Sequence, residues 1–507
     1  MSTATTTIEA SPSTMPAAEV ESAPSDPRRW RALAVLSLMQ FMLVLDVTVV
    51  NVALPRIQAD LGFSAAGLTW VVQGYVLMAG GLLLLGGRLA DIFGRRRLFL
   101  LGVGVFALAS AVSGAALSPA MLVAGRFAQG AREALAAPAA LGLIVLLFPD
   151  PGERTKALGI WGGLMGLGGT AGAVISGALT ELADWRWIFY INVPIALFAL
   201  LMVPRLVSES RMVREGGHRL DFTGALAATG GLVGIVYGLL QAAAHPWGSV
   251  PVLLPLLAGV GLLGAFVVVE ARSPAPLIPL GFFTNRTRVV ANLVTVLFTA
   301  GFFTYVFVLT LFEQQVLHYS PLRGGLSYLP LGLGMGVGVG LGTALMPRVG
   351  VKPLLCLGFF GAAAGLAMTS GIGVDSSYAG AVLPGMVVLA VSAGVSMPAS
   401  MNAALHQTTG QDSSLASAVQ NVMQQVGGAL GLACLVTLAL RHSFEAVRAG
   451  ALPAVATTDG YALSLRIGAV LLGAGGVLAL LLLGHVTGQP RSPAAEVELA
   501  QQEVRVS

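Results

Sequence analysis

The sequence predicts an all-α integral membrane protein that crosses the bilayer many times. Three observations predict it. Of 507 residues, 55% are hydrophobic and only 10% are charged, against roughly 25% charged in soluble domains. So few charges cannot clothe a water-facing surface of this size, so lipid must solvate most of it. Apolar runs near the roughly 20 residues needed to cross a hydrocarbon core recur fourteen times. The connecting segments are alternately rich and poor in Lys and Arg. The same composition excludes other classes. The 65 glycines follow no G-X-Y period, and the hydrophobicity is too high for a disordered chain. A net charge of +4 is too small for a nucleic-acid binder. Cys356 and Cys434 stand alone in apolar runs, without CxxC or Cys/His spacing, so no metal site and no disulfide framework is expected.

The apolar runs place the spans in order. They are 32–52, 69–89, 98–117, 120–148, 157–179 and 187–206, then 222–241 and 250–269, then 289–312, 324–346, 353–373, 379–401, 414–440 and 461–485. The first 27 residues carry no Lys or Arg and are rich in Ser, Thr, Ala and Pro. They read as a disordered tail rather than a signal peptide. The first span follows Arg28, Arg29 and Arg31 and is expected to be a signal anchor that stays in the mature protein. With the N-terminus inside, twenty of the 28 Lys and Arg fall in inner segments and six in outer ones. Arg126 and Arg132 lie within the fourth span. The positive-inside rule then puts both termini in the cytoplasm. Trp70, Trp185, Trp187 and Trp247 sit at the expected outer ends, where amphipathic rings anchor.

Polar groups inside lipid are costly, so each needs a reason. The first span contains Leu45-Asp46-Val47-Thr48-Val49-Val50-Asn51 and continues to Pro55. The second closes on Gly87-Arg88-Leu89-Ala90-Asp91-Ile92-Phe93-Gly94-Arg95-Arg96-Arg97. The fourth carries Arg126-Phe127-Ala128-Gln129-Gly130, and Trp185 to Pro194 opens the sixth. In the second half, Gln314 to Gly325 and Gln424 to Gly431 form two further motifs. Together these resemble the major facilitator superfamily, in particular its fourteen-helix drug:proton antiporter branch of the EmrB/QacA type. The resemblance spans nearly the whole chain. It implies the major facilitator fold: two pseudo-symmetric six-helix bundles plus two inserted helices. The expected divisions are a tail at 1–29, bundles at 30–207 and 286–487, an inserted segment at 208–285, and a tail at 488–507. Leu345 to Lys352 looks like a worn copy of Leu89 to Arg96 that lacks the Asp.

Asp46 is the foremost candidate for proton coupling. A carboxylate in an apolar span costs several kcal/mol unless it is paired, hydrated or protonated, which suits a group that binds and releases a proton. The alternative is a helix-end residue capping Thr48 or Asn51. With the first helix ending near Val52, Asp46 would lie about 9 Å below its outer end. Arg126 would lie about 10 Å below the start of the antiparallel fourth helix, so the two are expected to meet. The resemblance implies a coupling role for Arg126; a static salt bridge is the alternative. Glu133 returns to almost the Arg126 face two turns deeper, with Gln129 between them. It is read as a second protonation site, the partner of a cationic substrate, or a neutraliser of Arg126 or Arg132. Arg132 departs from the small residue usual in the family and sits about 240° around the helix from Arg126.

The resemblance implies that the Gly87, Asp91, Gly94, Arg95, Arg96 turn latches the two bundles on the inner side and governs switching. A simple positive-inside anchor explains the arginines but not Asp91. The fifth span is dense in glycine, with four-residue steps that permit close helix contact. It ends in Gly172-Ala173-Val174-Ile175-Ser176-Gly177, without the Pro of the family's antiporter motif. Gln420, Asn421 and Gln424, together with Gln129, are candidates for a substrate cavity, or for gluing helices together. Glu313 is read as a vestibule charge or a solvated residue near the outer end of the ninth span. No GxxxxGK[ST], GxSxG or HExxH occurs.

The resemblance thus implies a secondary active transporter, not an enzyme. It would export small hydrophobic or amphipathic compounds from the cell across the plasma membrane against proton entry. It would need no cofactor beyond the proton motive force. Its partners would be a small-molecule substrate, protons and the bilayer, with no nucleic acid. Two other readings stand beside it. One is a transporter dedicated to a single metabolite or an importer, motivated by Arg132 and the missing Pro. The other is a membrane receptor or enzyme, which no nucleophile or metal cluster supports.

Overall fold

The computed structural model describes residues 28–148, 150–209, 221–273, 276–278, 280–404 and 412–483. The expected tails and part of the 208–285 segment lie outside the described residues. The described chain is helical: α1 (Arg29–Leu61), α2 (Ala65–Phe93), α3 (Arg95–Gly114), α4 (Pro119–Leu147), α5 (Pro151–Leu182), α6 (Trp187–Tyr190) and α7 (Asn192–Leu206). Then follow α8 (Phe222–Gln241), α9 (Val250–Arg272), α10 (Arg286–Leu311), α11 (Pro321–Ser327), α12 (Leu329–Val349), α13 (Val351–Thr369), α14 (Leu383–Ala404), α15 (Asp412–Arg448) and α16 (Pro453–Leu482). Among the described residues, twelve helical stretches are long and apolar enough to cross a membrane. α4, which carries Arg126, Arg132 and Glu133, is not one of them, and α5 contributes only a shorter apolar stretch, Ala171–Leu182. Fourteen expected spans thus meet twelve that qualify on length and composition.

The helix starts have local causes. Ser64, Ser118, Asp150, Asp221, Asn285 and Ser320 each accept a hydrogen bond from a first-turn backbone N–H, satisfying a donor the helix leaves open. Several helices run beyond their apolar runs. α1 continues through Pro55 to Leu61, not to Val52. α15 reaches Arg448, and α16 starts at Pro453 rather than Tyr461. Two spans break: α6 and α7 meet at Ile191, and α11 and α12 meet at Tyr328. The α2–α3 turn pivots on Gly94 at φ 98°, and the α12–α13 turn on Gly350 at φ 87°. Only glycine adopts these angles without strain. Equivalent turns in equivalent positions mark the two halves as copies.

Within the first bundle α1 packs on α5, α2 on α4, and α3 on α4 and α7; in the second, α13 packs on α14 and α16, α12 on α14, and α10 on α15 and α16. α8 lies in one seam between the bundles, touching α2 and α15. Thr437 donates to the Leu239 carbonyl at 2.9 Å there. α9 packs on α8 and leaves Leu253, Leu254, Leu257, Val260 and Val267 exposed, the composition of a lipid-facing rod. In the other seam α5 meets α11 and α12. Hydrogen bonds join the bundles at the end carrying Trp185: Gln314 to the Val52 carbonyl at 2.7 Å, Gln315 to Gln58 at 3.3 Å, and the Leu322 amide to Glu181 at 2.9 Å. This end is the Trp185 face; the opposite end, where α3 begins, is the Arg95 face.

Candidate functional site

A polar cluster forms in the middle of the first bundle because four helices each supply a side chain that cannot face lipid. Arg126 on α4 and Asp46 on α1, each 1% exposed, pair at 2.6 Å. Asp46 Oδ1 also accepts from Gln129 Nε2 at 3.1 Å and from Asn192 Nδ2 on α7 at 3.0 Å. Gln129 donates to Ser110 Oγ on α3 at 2.8 Å and accepts from Arg126 at 2.8 Å. Arg126 Nε donates to the Val71 carbonyl on α2 at 2.8 Å, and its guanidinium lies 4.7 Å from the centre of the Tyr75 ring.

This geometry has a chemical consequence. Besides Asp46, Arg126 has a backbone carbonyl, an amide oxygen and an aromatic face. Loss of the Asp46 contact would therefore not leave the guanidinium wholly unsupported, which softens the large cost of breaking a buried pair. Asp46 does not cap Thr48 or Asn51. Thr48 bonds the carbonyls of Val44 and Leu45, and Asn51 bonds that of Val47. Its depth also differs from expectation: α1 extends fifteen residues past Asp46 to Leu61, roughly 22 Å at 1.5 Å per residue. Asp46 is mid-helix, not near an end.

Glu133 is half-buried and accepts from the Tyr75 hydroxyl. Among the described residues its link to Arg126 is that tyrosine, whose ring faces the guanidinium and whose hydroxyl meets the acid. Among the described residues no ion pair joins Glu133 to Arg126 or Arg132. Arg132 is fully buried, with its guanidinium 3.9 Å from the Phe106 ring centre on α3. Its three guanidinium nitrogens find no hydrogen-bond partner among the described residues.

At the Arg95 face, Arg95 donates to the Gly142 carbonyl on α4 at 3.1 Å. Arg96 donates to the Val207 carbonyl at 3.1 Å and approaches Glu209 at 3.6 Å, just past α7. These partners belong to the first bundle. The side chain of Asp91 lies outside the described residues. Close helix approach near this turn falls at Gly86 rather than at Gly87. A Cβ at Gly87 would meet Pro138 at an ordinary 3.8 Å, whereas one at Gly86 would collide with the Ala134 backbone. Gly168 and Gly172 let α5 lie against Val44, Leu45 and Thr48. Gly162, Gly163 and Gly166 have side positions outside the described residues.

In α15, Gln420 is buried and donates to Ser400 Oγ at 3.3 Å, Asn421 is exposed, and Gln424 is half-buried. Gln129 is buried inside the Asp46 cluster and presents nothing to an open wall. The residues that sequence reasoning did not assign are Ser110, Asn192 and Tyr75. Asn192 stood in the motif that opens the sixth span, and its single amide in an apolar run was the available signal.

The model of the Major Facilitator Superfamily matches residues 36–432. The chain belongs to the Major Facilitator Superfamily. This member is 41% identical to the puromycin resistance protein of Streptomyces alboniger over 471 residues, 91% of this chain and 93% of that protein. It is 39% identical to a cephamycin export protein of Amycolatopsis lactamdurans over 409 residues, 80% and 84% of the two chains. Its fold matches the crystal structure of a bacterial homolog of the human lysosomal transporter Spinster with a TM-score of 0.66 at 17% identity, covering 92% and 100% of the two chains. The superfamily member is a multi-pass membrane transporter, not an enzyme. Its relatives agree with the drug:proton antiporter branch that its motifs resemble.

Proposed function

We propose that this transporter exports small hydrophobic or amphipathic compounds, antibiotics among them, in exchange for protons. The observation that carries the coupling is the Asp46–Arg126 pair. It is a fully buried carboxylate whose cation is independently held by Val71, Gln129 and Tyr75. The cargo class rests on relatives named for puromycin resistance and cephamycin export. The Lys and Arg bias supports a cytoplasmic Arg95 face, with the chain in the plasma membrane and both termini in the cytoplasm. α4 and α5 complete the fourteen spans. The 30–207 and 286–487 bundles rock about α8 and the α5–α11 seam to expose the centre to alternate sides. Protonation of Asp46 cancels the charge that Arg126 opposes, and the α1–α4 contact loosens. Glu133, through Tyr75, follows the position of Arg126. Gln420, Asn421 and Gln424 present polar groups to the cargo from the second bundle. The Gly87 to Arg96 turn governs the rocking from the cytoplasmic end.

One proton entering down 100 mV supplies about 2.3 kcal/mol, enough for a roughly fiftyfold gradient of a neutral compound. Each of the two relatives is named for a single compound, puromycin in one and a cephamycin in the other, which supports a dedicated cargo as the second reading. Growth inhibition in a pump-deficient host, with and without the protein, tests both readings. The panel holds puromycin, a cephamycin and unrelated amphipathic compounds. Protection against some member is expected, and a single protected class marks the dedicated exporter. No protection, with transport inward under an imposed pH gradient, would overturn export.

A further inference from the structure

The second bundle holds an acid that the Asp46 mechanism does not use. Glu313 lies in a π-helical turn, Phe312–Val316, that continues α10, and it is fully buried. Such turns insert one extra residue and often mark functional positions. One carboxyl oxygen, Oε2, accepts from Ser327 Oγ at 2.7 Å. The other, Oε1, has no partner among the described residues. Tyr328, at the α11–α12 junction, follows Ser327 in the chain and bonds Thr310 Oγ1 of α10 at 2.7 Å, and Tyr378 lies in the turn before α14. Tyr378 donates to the Ser327 carbonyl at 2.7 Å, fixing the serine that touches the acid. Among the described residues no Lys, Arg or His pairs with Glu313. The charged groups nearby sit at the rim: Arg323 stacks on Tyr319, and Glu181 takes the Leu322 amide. Asp375 and Asp459, on the α13 and α16 sides, line a separate surface cleft.

A carboxylate with no cation in a dry site does not stay ionised; it takes a proton instead. The position of the site makes that proton conditional. α11 carries Ser327 and Gly324 on the Glu313 side. Its Pro321, Leu322 and Gly325 press on Ala173, Val174 and Gly177 of α5. Gln314, next to the acid, reaches across to the Val52 carbonyl of α1. The helix that roofs Glu313 is therefore also the closure of the Trp185 face. Parting α11 from α5 and α10 from α1 would admit water to the acid.

We propose that Glu313 is a second proton-binding site, loaded from outside as the Trp185 face closes over it. Each closure takes up one proton, so external acid favours the closed state, and the closed-to-open ratio rises up to tenfold per pH unit. This rests on the alternating-access reading above but not on Asp46. The test uses the full-length chain in lipid nanodiscs, with Cys356→Ala and Cys434→Ala. Spin labels go on Leu182→Cys and Leu452→Cys, two exposed positions at this face. The label distance distribution, followed against pH, is expected to shift from open to closed on acidification. In Glu313→Gln it is expected to stay closed at every pH. Ser327→Ala, which removes the hydrogen bond to the ionised acid, is expected to move the midpoint up by about one pH unit. Asp46→Asn is expected to keep the slope while losing proton-coupled transport. An unchanged slope in Glu313→Gln, a pH-independent distance in the starting protein, or an unmoved midpoint in Ser327→Ala would overturn the proposal. The Asp46 mechanism would then still stand on its transport assay.

Discussion

Replacing Asp46 by Asn separates coupling from transport. Asn is isosteric, and its oxygen still accepts from Gln129 and Asn192 as Asp46 does at 3.1 and 3.0 Å. What it loses is the 2.6 Å ion pair. Removing one partner of a buried pair costs about 3–5 kcal/mol. The lower end applies, since Arg126 keeps Val71, Gln129 and Tyr75. Asp46→Asn is therefore expected to fold, with a lowered unfolding midpoint. Neutralising Arg126 as well, in Asp46→Asn with Arg126→Gln, should return part of that loss, a coupling of about 1–3 kcal/mol. The assay is transport in proteoliposomes. With an imposed pH gradient, uphill accumulation should fall to the level of protein-free vesicles. Downhill exchange without a gradient should stay within about threefold of the parent. Full uphill accumulation by Asp46→Asn would refute the assignment, and equal loss of both activities would reduce Asp46 to a structural residue.

Other expectations follow from single contacts. Arg132→Met, which removes an unpartnered buried guanidinium, should raise the unfolding midpoint, a gain of about 1–4 kcal/mol; a lowered midpoint would mean the guanidinium has a stabilising role. Gly130→Ala would drive a methyl into the Tyr75 backbone carbonyl, costing about 1–3 kcal/mol, visible as a lower midpoint and lower yield. Asn421→Ala with Gln424→Ala should raise the KM for cargo several-fold and leave the unfolding midpoint within about 0.5 kcal/mol equivalent, because these side chains are not buried.

Much of this was legible because charge in an apolar span is conspicuous. Asp46 and Arg126 stood out at once, and a carboxylate and a guanidinium that cannot face lipid have little choice but each other. Their shared neighbours were harder. Ser110, Asn192 and the Tyr75 ring reach the pair only through the tilt and rotation of α3, α7 and α2, which packing decides rather than local pattern. The extent of helices misled in a similar way. The first apolar run ends near Val52, yet α1 continues through Pro55 to Leu61, so an acid expected near an end lies mid-helix. Glu313 reads as a vestibule charge or a solvated residue because its apolar run ends beside it, but the π-helical turn carries the chain on and α11 lies over the acid. Gly86 and Gly87 differ by one position, or about 100° around the helix. That is enough to exchange a backbone contact for an ordinary one.

Counting the protons released on cargo binding tests whether Asp46 carries the exchanged proton. In weakly buffered solution, purified protein is mixed with a compound that the growth panel identifies, and the released protons are counted with a pH indicator. About one proton released per bound molecule is expected from the parent protein and none from Asp46→Asn, with binding retained in both. Equal release from the two proteins would place the exchanged proton elsewhere and contradict the Asp46 assignment.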